Sequence, residues 1–355
     1  MRKIVNPQRF LPQQVFSFTK SVLFKISQFG CCLLLGLFCF NSHVLASTLS
    51  FNGKNIDFSG YVTGGSHYIQ HPSGNNNHVG TVLNDVLLNI GSVNSTAKPF
   101  SFYAGVGVLQ QQDFQNTREP LAPLSVGLQY GWFGFHKIKN MRFEVGQLPT
   151  NLGYESSISA ENKNIFLGEL WSVLPTYYPA ARWNLIIPNA TLYAEINSSN
   201  TSSGPGFAFG VLGDINQIEY KANLFIGDET WDTFDLVLKK EISQIQLGFN
   251  FDYHHLKNSG PNQDENAFGI ALYVSPKYKE WEIPVRLEVL SEGSTGIYGY
   301  KNGFSFTVTP TYHFSKSHYF RWELLYAQGN AKPFNDDGKA VKTQFASVFQ
   351  FGLRF

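Results

Sequence analysis

Beyond residue 46 the chain is built from about sixteen runs of 8 to 15 residues in which apolar and polar side chains alternate with a period of two. From Ile56 to Gln70, one face carries Ile56, Phe58, Val62 and Tyr68 and the other Asp57, Ser59, Thr63 and His67. From Phe304 to Phe314, Phe304, Phe306, Val308, Tyr312 and Phe314 stand against Ser305, Thr307, Thr309, Thr311 and His313. That period selects strands, because successive side chains of a strand point to opposite faces. Pro310 cannot donate to a ladder, which demotes a strand in most folds but is tolerated at a bulge. Past residue 46 no apolar stretch reaches the roughly 18 residues that a membrane-crossing helix needs.

The connections between these runs alternate in length. Long polar ones lie near Asn76, at 111–123, 150–180, 198–205, 227–232, 257–265, 291–303 and 329–340. Short ones fall between them, at 94–99, 137–140, 188–189, 214–217, 240–243, 275–281 and 315–318. Long loops on one side and short turns on the other are the pattern of a membrane barrel. The expected fold is therefore all-β: a transmembrane antiparallel up-and-down β-barrel of about 16 strands. Both chain ends fall on the short-turn side, which demands an even number and leaves 14 to 18 open. The last residues, FASVFQFGLRF, fit the same frame: Phe345, Phe349, Phe351, Leu353 and Phe355 would face lipid, and Gln344, Gln350 and Arg354 the lumen. A soluble β-sandwich or β-helix would also alternate, but it would not explain the loop lengths, the terminal stripe and the leader together.

Composition agrees. The chain is 43% hydrophobic and only 15% charged, yet its mean hydropathy is −0.15, which fits apolar and polar residues that are finely interleaved. Residues 1–46 read as a secretory signal: Arg2, Lys3, Arg9, Lys20 and Lys25 with no acid, an apolar run from Phe29 to Phe40, and Val44-Leu45-Ala46 before Ser47. The expected domains are this signal and a barrel over 47–355, whose longest outer loop is 150–180. All three cysteines (Cys31, Cys32 and Cys39) lie in the leader, so no disulfide framework is expected. The whole chain carries +1, and without the five leader bases it carries about −4, which argues against nucleic acid as a partner.

Three strands repeat one triplet: Arg142-Phe143-Glu144, Arg286-Leu287-Glu288 and Arg321-Trp322-Glu323. An apolar middle residue toward lipid puts each Arg and Glu in the lumen about 7 Å apart. A charge on the lipid face would cost about 2–4 kcal/mol at midplane. Arg182 and Arg354 add two more lumen guanidiniums, which makes these eight charged residues the candidate pore lining. Across from them, Glu155, Glu161 and Glu169 are candidate constriction acids in the 150–180 loop, which has the single base Lys163 and either folds inward to narrow the channel or stays outside as a solvated lid. The balanced charges could order solutes in a transverse field or simply brace the wall. His254 and His255, with Asp252 nearby, point to opposite faces of a strand, so no catalytic or metal site and no cofactor are expected.

The segment from Gly146 to Leu185 resembles the OmpL-like putative β-barrel porin family, through Gly146, Pro149, Gly153-Tyr154-Glu155, Asn162 and Pro175. The resemblance implies a bacterial outer-membrane porin that passes small hydrophilic solutes or ions by passive diffusion, with no enzymatic activity. The expected partners are outer-membrane lipid, the barrel-assembly machinery through Phe355, small hydrophilic solutes, and in one arrangement two further copies in a homotrimer. The competing reading is a surface adhesin or receptor whose barrel is plugged.

Overall fold

The computed structural model describes residues 47–51, 54–70, 78–92, 99–109, 126–198, 204–227, 231–257, 265–293, 297–336 and 339–355. The leader and parts of the long connections lie outside the described residues. Sixteen antiparallel strands form a closed barrel. They are β1 (Lys54–Gln70), β2 (His78–Ser92), β3 (Phe100–Leu109), β4 (Gly127–Phe135), β5 (Met141–Pro149), β6 (Tyr177–Ile187), β7 (Ala190–Ser198) and β8 (Pro205–Ile215). The second half comprises β9 (Ile218–Ile226), β10 (Trp231–Ile242), β11 (Ile245–Leu256), β12 (Glu265–Tyr278), β13 (Trp281–Glu282 and Val285–Glu292), β14 (Asn302–Val308 and Thr311–His313), β15 (His318–Gly329) and β16 (Thr343–Arg354). β1 closes the ring, pairing with β2 on one side, as in Ile56↔Ser92, and with β16 on the other, as in Ser66↔Phe349. A short N-terminal strand, Ser47–Phe51, pairs with the start of β1 and continues the track of β16 beyond its end.

Local chemistry explains the turns. Asn140, Asn189, Asn216, Gln217, Ser243 and Lys279 all adopt positive φ at the short connections, the backbone that tight hairpins require. Asn216 and Gln217 do so together, as a two-residue hairpin of the primed type demands. The 275–281 turn is tighter than the sequence suggests, because β12 runs on to Tyr278. Pro284 and Pro310 break β13 and β14 side by side, where the Thr309 N–H donates to the Pro284 carbonyl at 2.8 Å and the ladder resumes beyond. In the 329–340 connection a small hairpin pairs Phe334–Asp336 with Lys339–Val341.

The alternation is visible in exposure. On β12, Phe268, Ile270, Leu272 and Val274 are exposed, while Ala267 and Ala271 are fully buried. The triplet centres Phe143, Leu287 and Trp322 all face outward. Near the short-turn end, Trp281, Tyr312, Phe314, Phe320 and Phe351 form outward ring contacts at 4.9 to 5.1 Å, an interfacial aromatic girdle. Among the described residues no helix is long and apolar enough to cross a membrane. Leu287→Arg, on that face between two buried charges, is expected to destabilise the refolded protein by about 2–4 kcal/mol in a denaturant titration.

Candidate functional site

The β5–β6 connection lies inside the barrel. Its composition explains why: Leu152, Ile158, Ile165, Phe166, Leu167, Leu170, Trp171 and Leu174 are none of them more than 5% exposed. On an outer loop that surface would face water; here it packs against the inward sides of the wall. Ile165, Phe166 and Leu170 join Ala271, Tyr273 and Leu325, and Trp171 joins Tyr193 and Phe225. Two short elements shape it: a 3-10 turn, Ser159–Glu161, and the one-turn helix α1, Glu169–Ser172. Gly153, with φ +79°, lets the chain turn inward where a Cβ would meet Trp171 at 2.8 Å.

A loop without regular structure leaves its backbone unpaired, and buried backbone groups must find partners. Wall side chains supply them. Glu323 accepts the N–H groups of Ile165 and Phe166, and Glu288 accepts that of Leu170. Asp235 accepts the N–H of Gly153, Asn250 that of Tyr154, and Asp85 that of Ala160. The carbonyls are met by cations: Arg286 donates to Phe166, Arg321 to Ser159 and Asn162, Arg354 to Ala160, and Lys221 to Gly153. These anchors come from β2, β9, β10, β11, β13, β15 and β16. Only a segment in the interior can reach all of those strands.

The space that remains lies to one side. A cavity of about 280 Å³ runs between the loop and β3, β4 and β6, and a second of about 290 Å³ adjoins it toward the short-turn end. Both are lined by Tyr103, Trp132 and Pro149. The wall here is a slab of rings: Tyr130 stacks between Tyr103 and Tyr177 at centroid distances of 6.0 and 4.7 Å, and Trp132 leans on Tyr103 at 4.9 Å. At the short-turn end, burial and the neighbouring Arg142 push the His136 pKa down, so the ring is neutral where it meets the Ser101 hydroxyl at 2.9 Å. A third cavity, of about 140 Å³, lies beyond Glu161 among Lys163, Lys316 and Arg354.

The sequence from residue 55 to 355 matches the family described as "Putative beta-barrel porin-2, OmpL-like". The chain belongs to this OmpL-like porin family. Its fold is shared by outer-membrane proteins: OmpT of Vibrio cholerae aligns with 87% of this chain and 100% of its own at 10% identity and TM-score 0.63. An anion-selective porin from Comamonas acidovorans aligns with 85% of this chain and 100% of its own at 12% identity and TM-score 0.63. No curated protein matches the sequence.

In this OmpL-like porin the triplet charges face inward, and those of two of the three triplets lie behind the loop. Arg286 is fully buried, 2.6 Å from Glu155 and 3.3 Å from Glu288. Arg321 and Glu323 are buried too, and each is spent on loop backbone. Arg182 pairs with Glu195 at 2.6 Å and donates to the Pro149 carbonyl. Arg142 is the more exposed member of its pair with Glu144, at 3.2 Å, and Glu144 also accepts from Asn184. Arg354 is exposed at the barrel end.

The three loop acids divide as well. Glu155 turns to Arg286 and the Gly168 N–H, and Glu169 is buried against the Tyr300 hydroxyl. Glu161 alone of the three is exposed, accepting from Tyr61 at 3.0 Å and Ser156 at 2.7 Å. Sequence reasoning missed Asp85, Asp235, Asn223 and Asn250 as loop anchors. Their signal was available: each is a polar residue at lumen parity in a strand, and Asn223, Asp235 and Asp252 stand opposite one another across β9 to β11. His254 is buried and bonded to Thr233, and no cluster of three metal-ligating side chains occurs among the described residues.

Proposed function

We propose that this barrel is a narrow outer-membrane porin in which small hydrophilic solutes and ions diffuse between the inserted loop and the ring-lined wall of β3 to β6. The observation that supports it is the pair of adjoining cavities, about 280 and 290 Å³, beside a loop that otherwise fills the interior. A volume of 280 Å³ corresponds to about nine water molecules at roughly 30 Å³ each, so the solutes are small. Because Arg286, Arg321, Arg354, Glu155, Glu288 and Glu323 hold loop backbone, they act as braces, and sorting falls to cavity size, to Glu161 and to the half-exposed Arg142 of the second cavity. This is a channel without catalytic chemistry.

The same reading has residues 1–46 exporting the chain, with cleavage before Ser47, and residues 47–355 forming the mature barrel. Lipid covers the outward face, and Phe355 is read by the assembly machinery. V. cholerae OmpT has a trimer form, and trimerisation of this chain is proposed on that likeness of fold.

The test is single-channel recording of the refolded protein in a planar bilayer with a salt gradient. Stepwise current increments of uniform size are expected. A folded, heat-modifiable barrel that never conducts would overturn the porin reading. It would favour the adhesin or receptor, which one observation also supports: Ile165, Phe166, Leu170 and Trp171 are at most 2% exposed in the middle of the barrel.

A further inference from the structure

The charges along the cavity beside the loop differ in how they are turned: one acid is ion-paired, the base is held back on loop backbone, and one acid is exposed. Lys221 is the one base of its lining, and its ammonium donates to the Gly153 carbonyl at 3.1 Å. Glu155, one of the two acids, is paired with Arg286. The other acid, Glu161, is exposed and has no ion pair among the described residues. Its two oxygens accept from the neutral hydroxyls of Tyr61 and Ser156, and the cations near it, Lys163, Lys316 and Arg354, lie on its far side around the neighbouring cavity, so Glu161 is the acid left to meet a cation on this side.

Opposite, Tyr103, Trp132 and Tyr177 are half-buried rings that line the same space. Ring faces and a carboxylate attract the same kind of ligand, a cation. Aromatic surfaces recognise weakly hydrated ammonium groups best, because such ions lose little on leaving water and gain from the ring quadrupole. The interior already holds such contacts: Arg182 lies over Tyr193, Arg321 over Tyr319, and the Arg354 guanidinium over the Tyr61 ring at 5.6 Å while donating to the Ala160 carbonyl. Lys163, the nearest loop cation in sequence, is turned to Glu282 at 2.8 Å.

We infer that this cavity binds a small quaternary ammonium cation, with the methyl groups on the faces of Tyr103, Trp132 and Tyr177 and Glu161 as the counter-charge. The inference deepens the porin reading by naming the solute class of its pathway. About 280 Å³ accommodates a trimethylammonium group with a short hydroxylated tail, and the Thr176 hydroxyl is there to meet that tail.

The test is equilibrium dialysis of the refolded protein against labelled choline, with 3,3-dimethylbutan-1-ol, its neutral carbon isostere, as competitor. Saturable binding of one choline is expected, with the isostere at least about tenfold weaker. Glu161→Gln is expected to weaken choline about tenfold, since the amide carries no charge yet keeps the shape and one acceptor oxygen, enough for the Tyr61 hydroxyl; heat-modifiable migration checks that the variant folds. Tyr103→Leu is expected to weaken binding similarly, and Tyr103→Phe to restore it, because the ring face and not the hydroxyl is used. No saturable binding, equal affinity for the isostere, or an unchanged Glu161→Gln variant would each overturn the inference. Conductance separates the two claims: current without choline binding sinks this one alone, and choline binding without current sinks the pathway reading and leaves a binding barrel.

Discussion

Arg286→Ala is expected to give channels with several-fold larger and noisier current than the parent, and a barrel destabilised by about 3–5 kcal/mol. The side chain is fully buried and holds four partners: Glu155 at 2.6 Å, the Phe166 carbonyl at 2.9 Å, Thr307 at 3.2 Å and Glu288 at 3.3 Å. Removing it leaves the Glu155 and Glu288 carboxylates buried without a counter-charge, and burial of an unpaired charge is what makes such deletions costly. The loop escapes that cost by swinging out, which exposes Glu155 to water and widens the path. Arg286→Lys should fall between the two, since one ammonium cannot reproduce the planar set of bonds. Arg142→Ala is the comparison: its side chain is 33% exposed, lines the second cavity and is paired with Glu144 and not with loop backbone, so step size should shift with the lost charge while current noise stays at the parent level. Equal effects of Arg286→Ala and Arg142→Ala on current noise would refute the anchoring role.

Why the barrel was legible before the loop follows from the range of the interactions. A strand facing lipid on one side must alternate residue by residue, so Phe304 to Phe314 declared itself within eleven residues. The even count of sixteen followed from turn and loop lengths, and Asn189 and Asn216 mark hairpins by their own tolerance of positive φ. The inward phase of Arg286 and Glu288 was equally local, because Leu287 between them faces outward.

What those charges do was not local. Glu323 satisfies the N–H groups of Ile165 and Phe166 from a distance of more than 150 residues in sequence. Nothing in Arg321-Trp322-Glu323 distinguishes a carboxylate that faces solute from one that ties down a backbone. The acids of the loop mislead for the same reason: Glu155, Glu161 and Glu169 look alike in the sequence, yet only Glu161 is exposed. One signal did point inward. Ile165-Phe166-Leu167 and Leu170-Trp171 are too apolar for a connection bathed in water, and hydrophobic burial of that size needs a dry neighbour. Weighing the loop by its apolar side chains and not by its acids would have placed it in the interior.

Trp171→Ala tests the filling of the interior as Arg286→Ala tests its fastening. Trp171 is 2% exposed, packs on Leu152, Leu174 and Tyr193, donates its indole N–H to the Glu155 carbonyl at 2.8 Å, and also borders the cavity beside the loop. Truncation therefore removes a partition and not an anchor: the void it leaves opens directly into the proposed path. The expected cost is about 3–5 kcal/mol, the usual range for emptying a buried Trp site, and part of it is recovered as water enters. In liposomes swollen with sugars of increasing size, the variant should admit larger sugars than the parent while single-channel noise stays low, because the wall anchors of the loop are intact. Trp171→Phe keeps most of the packing and loses one hydrogen bond, worth about 1 kcal/mol, so its size limit should stay near that of the parent. An unchanged size limit in Trp171→Ala would mean that solutes do not pass this ring, and the route between the loop and β3 to β6 would have to be abandoned.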